Sequence, residues 1–203
     1  MFLTEEEILD TPGALKRTCR YFEENKERID GFFKAFPQRK FTVLGCGSSY
    51  MLSKSAAAVL ASFRETVANA IPAGDYISDP MFWQETVRGS IVLMLSRSGR
   101  TSEMVWAAQK IKELLNCPII SINAENDNDI TPMSDLELSM PWCHDNSVCQ
   151  TRTVTNLYAA ALLLAARYAK DDGLWQSVHD AAAGNEAFQT KYRPVLEKLA
   201  ARD

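Results

Sequence analysis

The segment Ile91-Val92-Leu93-Met94-Leu95-Ser96-Arg97-Ser98-Gly99-Arg100-Thr101 joins two kinds of pattern. Ile91 to Leu95 form an unbroken apolar run with the length and branching of a strand buried on both faces. Beyond the segment, Met104, Ala107, Ala108, Ile111 and Leu115 recur at helical spacing and mark one face of a helix. Ser96, Ser98, Gly99 and Thr101 are thereby crowded into one strand-to-helix turn. The first turn of a helix presents unpaired backbone N–H groups and a partial positive charge, which suit an anion. Ser98 or Thr101 also suits the capping position, with Glu103 reinforcing the first turn, and capping is compatible with anion binding. The turn reads as a phosphate cradle.

A second turn of the same kind lies upstream. Phe41 to Gly45 form a first strand, which runs into Cys46-Gly47-Ser48-Ser49-Tyr50. A helix follows, bearing Met51, Leu52, Ala56, Val59, Leu60 and Phe63. Gly45-x-Gly47 begins like a dinucleotide fingerprint, but the third glycine would fall at Tyr50. The two serines favour a sugar or phosphate contact over a nicotinamide cofactor. Further strands are expected at Thr66–Ile71, at Pro118–Ile122 and, as an alternating edge strand, at Leu136–Met140. Met81-Phe82-Trp83 suits a core or an interface. A long apolar helix is expected from Val154 to Tyr168 after an irregular stretch, Pro141–Val148.

The expected fold is α/β: a three-layer α/β/α arrangement around a five-stranded parallel sheet, flavodoxin-like, with extra helices at both ends. If strands one and three are neighbours, both hydroxyl-rich turns open onto one crevice at the carboxyl ends of the strands. Residues 1–36 read as a helical pair, with Pro12-Gly13 breaking an early turn. Residues 37–172 form the sheet domain. Residues 173–203 are a helical tail whose stripe of Phe188, Tyr192, Val195, Leu196 and Leu199, restarted at Pro194, has no evident partner.

The net charge of −4 opposes a nucleic-acid surface, which needs a basic stripe. No apolar run reaches bilayer length, and the amino-terminal residues carry no signal-peptide pattern. The five cysteines are odd in number and match no Cys-x-x-Cys spacing, so reduced thiols in a cytoplasm are expected. With only His144 and His179 present, no metal site and no cofactor are expected. The apolar helices suggest a homodimer or higher oligomer.

Three stretches together resemble the signature turns of the sugar isomerase (SIS) domain: Gly45–Tyr50, Ser96–Glu103 and His144–Thr151. Thr4-Glu-Glu-Glu-Ile and the His144-Asp145 pair are most similar to the tagatose-6-phosphate ketose/aldose isomerase branch. The isomerase half of glucosamine–fructose-6-phosphate aminotransferase and the fructosamine-6-phosphate deglycases are related. The resemblance implies a hexose phosphate or amino-sugar phosphate ligand. It implies that Ser48, Ser49, Ser96, Arg97, Ser98 and Thr101 surround the phosphate, with backbone N–H groups near Ser49 and Arg97 assisting. Gly47 and the Val148 backbone would line the sugar. Arg100 replaces a more usual acidic residue and either faces the phosphate or points to solvent. Those isomerases carry two successive SIS domains, and the proton-moving glutamate, histidine and lysine belong to the second. The tail is therefore expected to lead towards a second domain, or else single-domain subunits pair to rebuild the site.

Within this chain His144 and Asp145 are the candidate acid–base pair for aldose–ketose chemistry through an enediol or enolamine. The alternative is that His144 is satisfied at a turn and Asp145 fixes the loop. Cys46 is a weaker candidate nucleophile at a helix N-terminus. The expected function is a phosphosugar isomerase or deglycase domain. The alternatives are a non-catalytic sugar-phosphate sensor and a nucleotide-binding α/β domain.

Overall fold

The computed structural model describes residues 2–201. Two helices, α1 (Leu3–Glu24) and α2 (Lys26–Ala35), precede the sheet. Then follow β1 (Lys40–Gly45), α3 (Ser48–Ala61), β2 (Val67–Pro72), the short α4 (Ala73–Ser78) and α5 (Pro80–Val87), and β3 (Ile91–Ser96). The chain continues through α6 (Ser102–Leu114), β4 (Ile119–Asn123), β5 (Leu136–Ser139), α7 (Arg152–Ala169) and α8 (Asp172–Ala200). The five strands are all parallel and ordered β2-β1-β3-β4-β5.

Side-chain alternation along the strands divides the core. Phe41 and Val43 of β1, with Ile91, Leu93 and Leu95 of β3, face a layer built from α1, α2, α3, α7 and α8. Leu44, Val92 and Met94 face the opposite layer, which contains α4 and α6. A sheet covered on both faces explains why β3 is apolar without interruption: all six of its residues are buried.

The strand order creates the switch point. From β1 the chain moves outward to β2, then returns to place β3 on the other side of β1. The β1–α3 and β3–α6 connections therefore diverge to opposite faces, leaving a crevice at the strands' carboxyl ends.

One expectation changes. Pro12-Gly13 does not break a turn, because α1 runs unbroken through Pro12. A proline inside a helix leaves the carbonyl four residues back without its donor. Here that carbonyl, Ile8 O, accepts a hydrogen bond from Gln189 Nε2 of α8 at 3.0 Å. The tail meets α1 through Lys16–Glu186 and Arg193–Glu5 ion pairs at 3.0 and 3.2 Å as α8 passes through Pro194, while its stripe of Phe188, Tyr192, Val195, Leu196 and Leu199 stays exposed, as expected of a stripe with no partner. Met81 and Phe82 are exposed, and only Trp83 packs on the core.

Candidate functional site

A cavity of about 100 Å³ sits at the switch point. Cys46 and Ser49 line it from the β1–α3 turn, and Ser96, Arg97, Ser98 and Thr101 from the β3–α6 turn. Leu95 and Met104 complete the wall, and Gln150 reaches in from the loop before α7. The two hydroxyl-rich turns thus share one pocket. Larger grooves lie elsewhere, among them one of about 520 Å³ lined by Lys16, Cys19 and His179. Another, about 640 Å³, runs between α1 and α8 and is largely apolar. A third, about 660 Å³, lies at the amino ends of the strands, and its Arg39 and Arg167 are already paired with Glu65 and Asp30.

The turn's internal hydrogen bonds decide what it offers. Gly99 N donates to Ser96 Oγ at 2.9 Å, and Arg100 N donates to Ser98 Oγ at 3.2 Å. A hydroxyl that accepts from the backbone keeps its own proton available. Thr101 occupies the N-cap of α6, yet its side chain makes no capping bond. Gly47, the N-cap of α3, has no side chain with which to cap. No side chain caps either helix, and although Ser49 N, Tyr50 N and Met104 N donate to carbonyls of their own turns, the amides of Ser48, Ser102 and Glu103 remain for the crevice, with the serine and threonine protons as further neutral donors.

Two glycines permit this geometry. Gly99 has φ 62°, and a Cβ there would stand 2.3 Å from the Asn128 side chain. Asn128 is fixed in turn: Nδ2 donates to Glu125 O at 3.0 Å, and Oδ1 accepts from Ile130 N and Thr131 N. At Gly45 a Cβ would stand 2.6 Å from the Ser49 backbone. The close approach of helix to strand that Tyr50 would obstruct is therefore made at Gly45 instead.

The loop leading into α7 is held from several sides. Asp145 is buried, and its Oδ2 accepts from Thr151 N at 2.7 Å and Thr153 N at 2.9 Å. It thus supplies the first turn of α7 with an acceptor. Arg152 Nε lies 3.5 Å from Asp145 Oδ1. On the other side, Glu7 of α1 is buried, and its Oε1 accepts from Asn146 N at 2.7 Å and Ser147 N at 3.1 Å. Ser147 Oγ donates to Glu7 Oε2. Burial pushes the Glu7 carboxyl up, but the Ser147 and Asn146 hydrogen bonds and nearby Arg152 outweigh it and leave the group below the ordinary glutamate value.

The cations near the cavity are engaged. Arg97 Nη1 donates to the carbonyls of Asp145 and Ser147 at 3.2 and 3.0 Å. Arg100 pairs with Glu125 and donates from Nη2 to Asp127 O at 2.9 Å. It lies outside the cavity lining, exposed at the surface and held there by these bonds, the second of its two expected placements. His144 Nδ1 stands 3.3 Å from Glu125 Oε1, out of line for a hydrogen bond. Cys46 is a poor nucleophile, because burial and the Glu103 carboxylate push its thiol up against the pull of the Ala73 and Gly74 amides.

Of the residues expected to surround the ligand, the structure brings Ser49, Ser96, Arg97, Ser98 and Thr101 to one cavity. Ser48 and Gly47 are exposed beside it, and Val148 is 92% exposed. His144 and Asp145 lie outside the lining. Gln150 escaped the sequence reading. Its Oε1 is buried without a hydrogen-bond partner, and a lone amide in an irregular loop gives no periodic or motif signal. Glu7 escaped as well, because its partners are 139 and 140 residues away.

An open parallel sheet carrying hydroxyls and amides at its switch point makes an α/β domain whose crevice suits an anion. The chain belongs to the SIS domain family, whose family model matches residues 36–167. Among curated relatives, D-galactosamine-6-phosphate deaminase AgaS of Escherichia coli is 25% identical over 169 residues, covering 78% of this chain and 44% of its own. The chain thus spans under half the length of that relative. The crystal structure of tagatose-6-phosphate ketose/aldose isomerase from Escherichia coli has the same fold, with TM-score 0.80 and 22% identity. The match covers 94% of this chain and 54% of that one. The C-terminal domain of glucosamine-fructose-6-phosphate aminotransferase from Francisella tularensis gives TM-score 0.78 at 16% identity, covering 96% and 58%.

Proposed function

We propose that the chain binds a hexose 6-phosphate or amino-hexose 6-phosphate, with the phosphate in the cradle of Ser49, Ser96, Ser98 and Thr101. The observation that carries this is the convergence of two uncapped helix N-termini and freely donating hydroxyls on one small cavity. The deaminase named among its relatives supports an amino-sugar phosphate. Bound there, a phosphate dianion accepts from the neutral donors, and the Gln150 amide, turned so that Nε2 faces inward, supplies one more. The sugar then extends past Gly47 and Val148 into the open crevice.

In this reading the domain serves a ketose/aldose isomerase, deglycase or deaminase working through an enediol or enolamine. No carboxylate or imidazole lines the cavity among the described residues. Proton transfer therefore calls on groups brought over the crevice, from His144 after a rearrangement or from a further domain or subunit. The same observation favours a second reading, a sugar-phosphate sensor without turnover.

Thermal shift tests the binding, since a ligand that binds only the native state raises the melting temperature. Galactosamine 6-phosphate, glucosamine 6-phosphate and tagatose 6-phosphate are compared with the unphosphorylated sugars. The proposal requires a rise for at least one phosphorylated sugar and none for its parent. Equal behaviour of each pair overturns it. Carbon-13 NMR for the accumulation of ketose or aldose, together with a coupled enzymatic assay for released ammonium, separates enzyme from sensor.

A further inference from the structure

Glu7 is a buried carboxylate at the solvent-poor junction of α1 with the loop before α7. Placing a charge there is costly, and an apolar side chain of similar volume would pack α1 at lower cost. Every hydrogen bond that Glu7 accepts on its side chain comes from Asn146 and Ser147. Those two residues begin a short path. On the other side of the loop, the carbonyls of Asp145 and Ser147 accept from Arg97 Nη1. The peptide between Asp145 and Asn146 is held at both ends: its N–H donates to Glu7 Oε1, while its carbonyl accepts from the Arg97 guanidinium. A peptide group held between opposite charges in this way is polarised by both, and each bond strengthens the other. Arg97 lies between Ser96 and Ser98, and its own carbonyl is pinned by Ala124 N at 2.9 Å. The far end of the loop carries Gln150 into the cavity.

We propose that Glu7 is a positioning residue of the anion site, acting through the loop 145–150 on Arg97 and Gln150. The proposal rests on the phosphate reading of the cavity. Glu7 touches no ligand; it fixes the loop whose carbonyls hold Arg97 and whose end presents the amide. The amino-terminal helix is thereby part of the binding apparatus as well as a cover for the sheet.

Isothermal titration calorimetry with galactosamine 6-phosphate, run well below each variant's melting temperature, tests it. Glu7→Ala should weaken binding about tenfold or more, the scale of a lost charge-assisted network. Glu7→Gln keeps an acceptor for the two backbone amides and should stay within about threefold of the parent. Arg97→Ala should weaken binding too. Because both changes break one path, the double variant Glu7→Ala/Arg97→Ala should be no weaker than the weaker single variant. A purely structural Glu7 would lower the melting temperature and leave affinity unchanged, or give losses that multiply with those of Arg97→Ala. Either result overturns the proposal. If Glu7→Ala fails to fold, Ser147→Ala removes only the hydroxyl link. It should weaken binding about threefold, and unchanged affinity is then the contradicting result. If the parent chain binds no phosphosugar at all, the phosphate reading itself has failed. If the parent binds and the variants bind equally, only the role of Glu7 has.

Discussion

At Gly99 the chain turns with φ 62°, and any Cβ would drive into the Asn128 amide at 2.3 Å. Gly99→Ala therefore incurs the left-handed backbone cost of about 1–2 kcal/mol and a clash besides. Calorimetry should show its melting temperature falling, by ~2–4 °C for each kcal/mol lost in a chain of this size. Phosphosugar affinity should fall with it, because the Gly99 amide orients Ser96. The hydroxyls carry a different prediction. Ser98→Ala leaves the fold largely intact but removes one donor to a charged ligand, a loss of about 1.5–3 kcal/mol in binding. At this scale the sequence was informative where the chemistry is local. Ser49, Ser96, Ser98 and Thr101 stand at or beside strand-to-helix junctions, and they do share a cavity. It was uninformative where a side chain's role depends on distant partners. Arg97 and Arg100 look like free cations in sequence, yet the first is bound to carbonyls and the second to Glu125.

Helix α7 begins on an acceptor supplied from outside it. Asp145 takes the amides of Thr151 and Thr153, and Arg152 stands beside its other oxygen. Asp145→Ala would leave buried donors unmade and a guanidinium short of its counter-charge, at a cost of about 2–5 kcal/mol. Urea denaturation should show a lower midpoint with unchanged slope, and Asp145→Asn, which keeps one acceptor, should lose less. Elements with long apolar periodicity were legible: β1, β3, α6 and α7 fall close to where the pattern places them. The helices α4 and α5 span only 6 and 8 residues, too few to show a period, and the one local mark of α5 is its start, with Asp79 capping and Pro80 in the first turn. Pro12 was misleading for a tertiary reason. Proline predicts a break on local grounds, but Gln189 of α8 satisfies the carbonyl that it strands.

Across the whole molecule, α1 bridges the sheet layer, the tail and the binding loop. Its Glu7 gives the fold an acid-sensitive joint. The folded carboxyl lies below the ordinary glutamate value, so the unfolded chain takes up the proton first as pH falls. Its stabilisation is complete above the ordinary value and is lost as pH drops through the folded one. Melting temperatures followed from pH 7 downward should fall below the ordinary glutamate value, and Glu7→Gln should flatten that part of the curve. The doubly wound topology was legible as a whole because the strand–turn–helix alternation repeats along the chain. The contacts that tie α1 to the loop before α7 were not, since nothing local marks a carboxylate whose partners lie at the other end of the sheet domain.

The site reading stands or falls on whether the shared cavity recognises a phosphate. Calorimetric titration of the parent chain and of Ser98→Ala with galactosamine 6-phosphate and with galactosamine addresses this directly. The account predicts that the parent binds only the phosphorylated sugar and that Ser98→Ala binds it about tenfold or more weakly, as loss of a hydrogen bond to a charged group requires. Equal affinity of the parent for both sugars, or of the two proteins for galactosamine 6-phosphate, would contradict it.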